Sequence, residues 1–201
     1  MFKSLFVIAL PIILQNLMQS TVNMLDTLMV GQLGSVEIAS VGLGNQIYML
    51  LNMVLFGISS GGAIFIAQFW GKKENSGIWK MEGVMFSFSM VIALIFTFAS
   101  VFFPKFLIGL YSKDFHVIEI GARYLRIVAF SFPFFAMSFA FSMALRSTEH
   151  VKLPMVATMI SLVLNAILNY LLIFGIGFFP SLGIVGAAIA TCISRIVECF
   201  I

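Results

Sequence analysis

The sequence predicts an all-α, polytopic membrane protein with six transmembrane helices, and three observations carry that expectation. Of 201 residues, 61% are hydrophobic and only 9% are Asp, Glu, Lys or Arg, against roughly 25% charged in an ordinary soluble domain. Mean hydropathy is +1.11, and 23 Phe with 13 Met would leave large apolar patches facing water. The apolar residues fall in long unbroken runs, without the alternation that a transmembrane barrel needs.

The runs lie at about 4 to 30, 38 to 69, 81 to 103, 118 to 143, 154 to 175 and 183 to 200. Each is near or above the roughly 20 residues that a helix needs to cross hydrocarbon. The first opens like a signal peptide at Lys3, but Gln15, Asn16, Gln19, Asn23 and Asp26 carry it far past a signal core, so it is read as a retained span. The second is very long, and Ser59, Ser60, Gly61 and Gly62 mark a break or bend within it. The third follows the longest polar break, GKKENSGIWK at 71 to 80, and the fourth places Pro133 of SFPFF in mid-membrane. The fifth starts at Pro154. The sixth, GIVGAAIAT, spaces Gly183, Gly186, Ala187 and Ala190 for close helix packing. None of the connecting breaks can hold a folded soluble domain.

Charge and composition exclude several classes of function. The net charge of +3 is scattered rather than gathered in a stripe, so no nucleic acid partner is expected. With a cytoplasmic N-terminus, Lys3, Lys72, Lys73, Lys80, Arg146, Lys152 and Arg195 fall inside, and Lys105, Lys113, Arg123 and Arg126 outside. Seven against four favours that orientation, in an integral, multi-pass cell membrane protein. Cys192 and Cys199 are two turns apart on one helix, too far for a disulfide, with no metal-binding neighbours. His116 and His150 are isolated loop residues. No GxxxxGK[ST] loop occurs, nor a Ser, His and Asp set at one depth, so the chain is expected not to be an enzyme. Coupling to an ion gradient is the economical source of energy.

The first span carries the strongest functional signal. Asn16, Gln19, Asn23 and Asp26 recur at steps of three and four, a polar stripe on an apolar rod. Lipid cannot solvate such a face, so it should point into a bundle interior or a wet cavity, with Asp26 as the sole carboxylate well inside the spans. Counting about 1.5 Å per residue from Ala9 puts Asp26 roughly 25 Å up. The same count from Pro154 lifts Asn165 and Asn169 of the fifth span to roughly 16 and 22 Å. Those two asparagines share a face as i and i+4. One carboxylate and two amide oxygens form a hard-oxygen set for a coupling cation, Na⁺, or a site for H⁺; capping and helix-to-helix amide bonding are the bland alternatives. Asn45, Tyr48 and Asn52 of the second span would line the same cavity. Pro11 and Pro133 each remove an intrahelical hydrogen bond and permit bending.

These features together resemble the N-terminal six-helix lobe of a multidrug and toxic compound extrusion (MATE) transporter. The resemblance runs through ALPIILQNLMQSTVNMLDTLMVGQLG, the second span ending in IAQFWGKK, the link LRSTEHVKLPM, LNAILNYLLIFG and GIVGAAIATCIS. It implies one lobe of a twelve-helix antiporter that exports organic cations or amphipathic drugs in exchange for Na⁺ or H⁺. Asp26 then matches the family's cation-binding or protonating aspartate, Pro11 its bending proline, and Asn165 and Asn169 its fifth-helix polar pair. Some relatives carry Asp at the second position of that pair, which leaves Asp26 as the main titratable group here. A second, C-terminal lobe or another half would complete the cavity, with an amphipathic small molecule and the lipid bilayer as partners. The rival expectations are a flippase for a lipid-linked or amphipathic substrate, which would favour several interior Arg or Lys residues whereas Arg123 and Arg126 lie near an edge, and a non-transporting membrane assembly subunit.

Overall fold

The computed structural model describes the backbone of residues 2–176 and 180–201, and the side chains of residues 13–176 and 180–201. Eight α-helices follow one another among them: α1 (Phe2–Gly31), α2 (Ser35–Gly71), α3 (Asn75–Phe102), α4 (Pro104–Gly109), α5 (Phe115–Val128), α6 (Phe132–Ser147), α7 (Lys152–Phe174) and α8 (Ile184–Phe200). Among the described residues, four helical stretches have the length and hydropathy to cross a membrane, namely α2, α3, α5 continued through α6, and α7. The architecture is an all-α, multi-pass membrane fold.

Three boundaries depart from the sequence expectation. The helix α2 runs through Ser59–Gly62 without a break, and Gly62 serves packing instead: a Cβ there would collide with the Met85 side chain of α3. The helix α3 begins at Asn75, six residues before the predicted 81, since only a tight turn separates it from α2. The predicted break at 104 to 117 contains the short helix α4, which starts at Pro104, where the missing N–H costs nothing. Other ends follow local chemistry. The Asp114 carboxylate caps α5 by accepting from the N–H of His116 at 2.8 Å. Gly175, at φ 70°, closes α7 in the left-handed conformation and donates its N–H to the Leu171 carbonyl at 3.0 Å.

Between α5 and α6 the chain tightens into a 3₁₀ turn, Ala129–Ser131, immediately before Pro133. Pro133 has no N–H to offer the carbonyl of Ala129, four residues back. Thr97 of α3 supplies a replacement, sharing its hydroxyl between Ala93 of its own helix (2.8 Å) and Ala129 (3.1 Å). The Ser131 hydroxyl donates to Val128 at 2.6 Å, and the Cys192 thiol of α8 donates to Ile127 at 3.1 Å. The interruption is thus held open by donors from two neighbouring helices. Pro11, the other predicted bending residue, has its side chain outside the described residues.

The core lies between α2, α5, α6 and α8, where Leu51, Leu55, Leu125 and Phe132 are fully buried. A smaller cluster joins Ile66, Met85 and Ala144 toward the other end of α2. The most extensive helix contacts pair α7 with α8, α2 with α3 and α3 with α6, and α1 leans chiefly on α7. Gly186 of α8 lies so close to α7 that a Cβ would stand 2.6 Å from the Leu172 carbonyl oxygen. Ala187 and Ala190 are buried in the same seam.

Candidate functional site

A cavity of about 650 Å³ opens between α1, α2, α6, α7 and α8. Asn16, Gln19, Asn23 and Asp26 of α1, Asn45, Tyr48 and Asn52 of α2, and Asn165 and Asn169 of α7 all line it. Of the span-four aromatic and Met residues, Phe135, Phe139 and Met143 also reach it, whereas Phe132 is in the core and Phe130 faces outward. Gln19 donates to Asn23 at 3.0 Å along the α1 stripe. Tyr124 of α5 joins the wall and donates to Asn45 at 3.4 Å; Gly44 admits its ring, which a Cβ there would strike.

At one end of the cavity the Asn169 amide donates to the Asp26 carboxylate at 2.6 Å. The same amide lies 3.3 Å from the Asn165 side-chain oxygen. Asn165 and Asn169 are 7% and 2% exposed, and the side-chain oxygen of Asn169 is buried with no hydrogen-bond partner among the described residues. An unpaired buried acceptor carries a cost that a cation or a proton donor would relieve. The oxygens gathered here are hard donors suited to an alkali cation. No group of three or more His, Cys, Asp or Glu side chains is assembled among the described residues, so the oxygens of the site include neutral amides.

The other end holds a network that the sequence reading missed. Gln15, 9% exposed, donates to the Thr158 hydroxyl at 2.8 Å and accepts from Arg146 at 2.9 Å. The Thr158 hydroxyl donates to one Glu198 oxygen at 2.9 Å, and Arg195 donates to the other at 2.6 Å. The Arg195 guanidinium also lies 5.8 Å from the Tyr48 ring centre and 5.3 Å from that of Phe135. Two sequence expectations need correction. Asp26 is not the sole carboxylate inside the helices, because Glu198 lines the same cavity. Arg146, expected in a loop, and Arg195, counted with the inner-side charges, both line the cavity, so interior arginines exist that Arg123 and Arg126 did not supply. The available signal was Thr158 on the Asn165–Asn169 side of α7, and Arg195 and Glu198 at i and i+3 in an apolar helix.

The two ends are joined by a simple register. Gln15 and Asp26 are eleven residues apart on α1, and so are their partners Thr158 and Asn169 on α7. Eleven residues make about three helical turns, or roughly 16 Å, so both bonds fall on one face of each helix. The helices α1 and α7 therefore run parallel with two polar rungs between them.

The helices thus form a multi-pass membrane fold whose first, second, sixth, seventh and eighth helices enclose a polar cavity. The MatE family model matches residues 11–171, and the chain belongs to that family of membrane transporters. It is 31% identical over 196 residues to the probable multidrug resistance protein YoeA of Bacillus subtilis, covering 97% of this chain and 42% of that protein. It is 30% identical over 196 residues to the probable multidrug resistance protein NorM of Thermotoga maritima, with the same coverage of 97% and 42%. A solved MOP superfamily transporter from Pyrococcus furiosus matches the fold with a TM-score of 0.88 at 22% identity, over 98% of this chain and 43% of that one. The chain thus spans less than half the length of these relatives.

Proposed function

We propose that residues 1–201 form one six-span lobe of a secondary antiporter that exports organic cations or other amphipathic compounds in exchange for Na⁺ or H⁺. In this proposal α1 and α8 join the four longer apolar stretches as spans. Seven inner-side charges less the two cavity arginines leave five lysines, so the cytoplasmic N-terminus is favoured over four outer charges only slightly. A second lobe supplies the opposite wall.

One observation carries the coupling site: the Asp26–Asn169 contact at 2.6 Å, across the α1–α7 boundary and on the cavity wall. A cation arriving at Asp26 competes with the Asn169 amide hydrogen and favours the unpartnered Asn169 oxygen instead. A proton on Asp26 converts that acceptor into a donor. Either change alters the bond that fastens α1 to α7 at this end, so the cation and the position of α1 become linked. The ion shifts the balance of states only through unequal affinity for them. Asp26, Asn165 and Asn169 are assigned to the coupling ion, and Asn16, Gln19, Asn23, Asn45, Tyr48 and Asn52 to the cargo cavity. Pro11 and Pro133 are assigned to helix bending.

The flippase alternative gains one observation, since Arg146 and Arg195 line the cavity and guanidinium groups suit phosphates. The antiporter is favoured because the flippase reading calls for several interior cations, and with Arg195 neutralised by Glu198 only Arg146 among the described cavity residues lacks a carboxylate partner. The test is efflux of a fluorescent organic cation from vesicles holding the complete assembly, under separate Na⁺ and pH gradients. Asp26→Asn should insert normally and abolish gradient-driven efflux. Full coupled transport by that variant would refute the assignment.

A further inference from the structure

Four Asp, Glu, Lys or Arg side chains among the described residues line the cavity, and three of them are accounted for. Asp26 accepts from Asn169. Glu198 gives one oxygen to Thr158 and the other to Arg195, which in turn lies against Tyr48 and Phe135. Arg146 is different: its described partner is the neutral Gln15 oxygen at 2.9 Å, and no carboxylate among the described residues stands within 4.0 Å of it. A half-buried guanidinium bonded to one neutral acceptor keeps most of its donor capacity. Gln15 cannot turn away, because its amide nitrogen is committed to Thr158 at 2.8 Å. The Arg146 guanidinium is therefore positioned from below by a fixed acceptor.

The surface leading to it suits an amphiphile. Phe139, Met143 and Arg146 follow at steps of four and three on α6, and all three line the cavity. An aromatic body can lie along Phe139 and the adaptable Met143 side chain. The planar fork of Arg146 then meets an anionic head, which guanidinium recognises through paired hydrogen bonds. We infer that Arg146, held by Gln15, is a subsite for the anionic group of an amphipathic ligand: a carboxylate, sulfonate or phosphate monoanion carried on an apolar body. It deepens the proposed function by giving the cavity an anion-binding end, roughly 16 Å from the cation end at Asp26 as measured along α1. A zwitterionic or anionic amphiphile then belongs to the range of cargo, beside organic cations.

The test is calorimetric titration of the complete assembly in nanodiscs of zwitterionic phosphatidylcholine. The probes are naphthalene-2-sulfonate and its neutral sulfonamide, which differ in charge at the head alone. Arg146→Gln should weaken sulfonate binding about tenfold or more and leave sulfonamide binding unchanged. Arg146→Lys keeps the charge but not the fork, and should weaken the sulfonate several-fold. Arg123→Gln, which alters an exposed arginine paired with Glu119, should change neither. Sulfonate affinity unaltered in both Arg146 variants, or equal loss of both probes, overturns the subsite. Adding anionic phosphatidylglycerol to the discs separates the sources of the head group. Competition by the lipid assigns the subsite to a lipid phosphate, and its absence assigns it to soluble cargo. No gradient is imposed, so this outcome is independent of whether Asp26→Asn stops coupled efflux.

Discussion

Replacing Gly186 with Ala tests the packing on which the cavity wall depends. The added Cβ would lie 2.6 Å from the Leu172 carbonyl oxygen and 2.7 Å from its carbon. Both are backbone atoms of α7, which cannot rotate aside as a side chain would. Reaching ordinary van der Waals separation requires α8 to withdraw by about 0.8 Å at this point. The Leu172 carbonyl also accepts from the Leu182 N–H at 2.9 Å, so that bond is disturbed as well. Overpacking of this kind costs about 1–3 kcal/mol. For a chain of this size each kcal/mol moves the midpoint by roughly 2–4 °C. The assay is thermal unfolding in one detergent at a fixed scan rate, because such transitions are commonly irreversible. Gly57→Ala is the matched control: its Cβ meets nothing within 4 Å, and Ala is the better helix former by up to about 1 kcal/mol. Gly57→Ala should hold or raise the midpoint, and Gly186→Ala should lower it by several degrees. Equal midpoints for the two variants would refute the close approach of α7 and α8.

Two further substitutions probe the polar contacts. Gln15→Leu removes both the bond to Thr158 and the acceptor of Arg146; average interhelical bonds in membranes contribute about 0.6 kcal/mol each, so a loss of about 1–2 kcal/mol is expected, with reduced protection of the α1 amides in hydrogen exchange as the direct readout. Thr97→Val keeps the side-chain shape but deprives the Ala129 carbonyl of its hydroxyl donor, and should destabilise by about 1 kcal/mol; restoring the gap with Thr97→Val in a Pro133→Ala background, where the backbone N–H returns, should recover most of that loss.

What was legible beforehand follows from what periodicity can encode. The polar stripe of α1 and the Asn165–Asn169 pair are local spacings, and counting depth from each apolar edge brought Asp26 and Asn169 to one level. The start of α3 was not legible, because Lys80 and Trp79 interrupt the apolar run although helical hydrogen bonding continues through them. Nor was the arginine network: Arg146 and Arg195 lie close enough to polar breaks that charge counting assigns them to the inner side. Only the facing of α1, α6, α7 and α8 brings Gln15, Thr158 and Glu198 to them, and that facing is a tertiary fact. Cys192 similarly read as incidental, since its acceptor, the Ile127 carbonyl, lies on α5 and meets the thiol only through the packing of α8 against that helix.

The equal spacing of the two α1–α7 bonds has a mechanical meaning. A slip of one residue between these helices would misalign both fastenings at once, so sliding is disfavoured. Releasing either one leaves the other as a hinge pin. Under the proposed coupling, the pin at Asp26 would answer to the bound ion and the other to the charge held beside Gln15, so the first helix would swing from either end without losing its place.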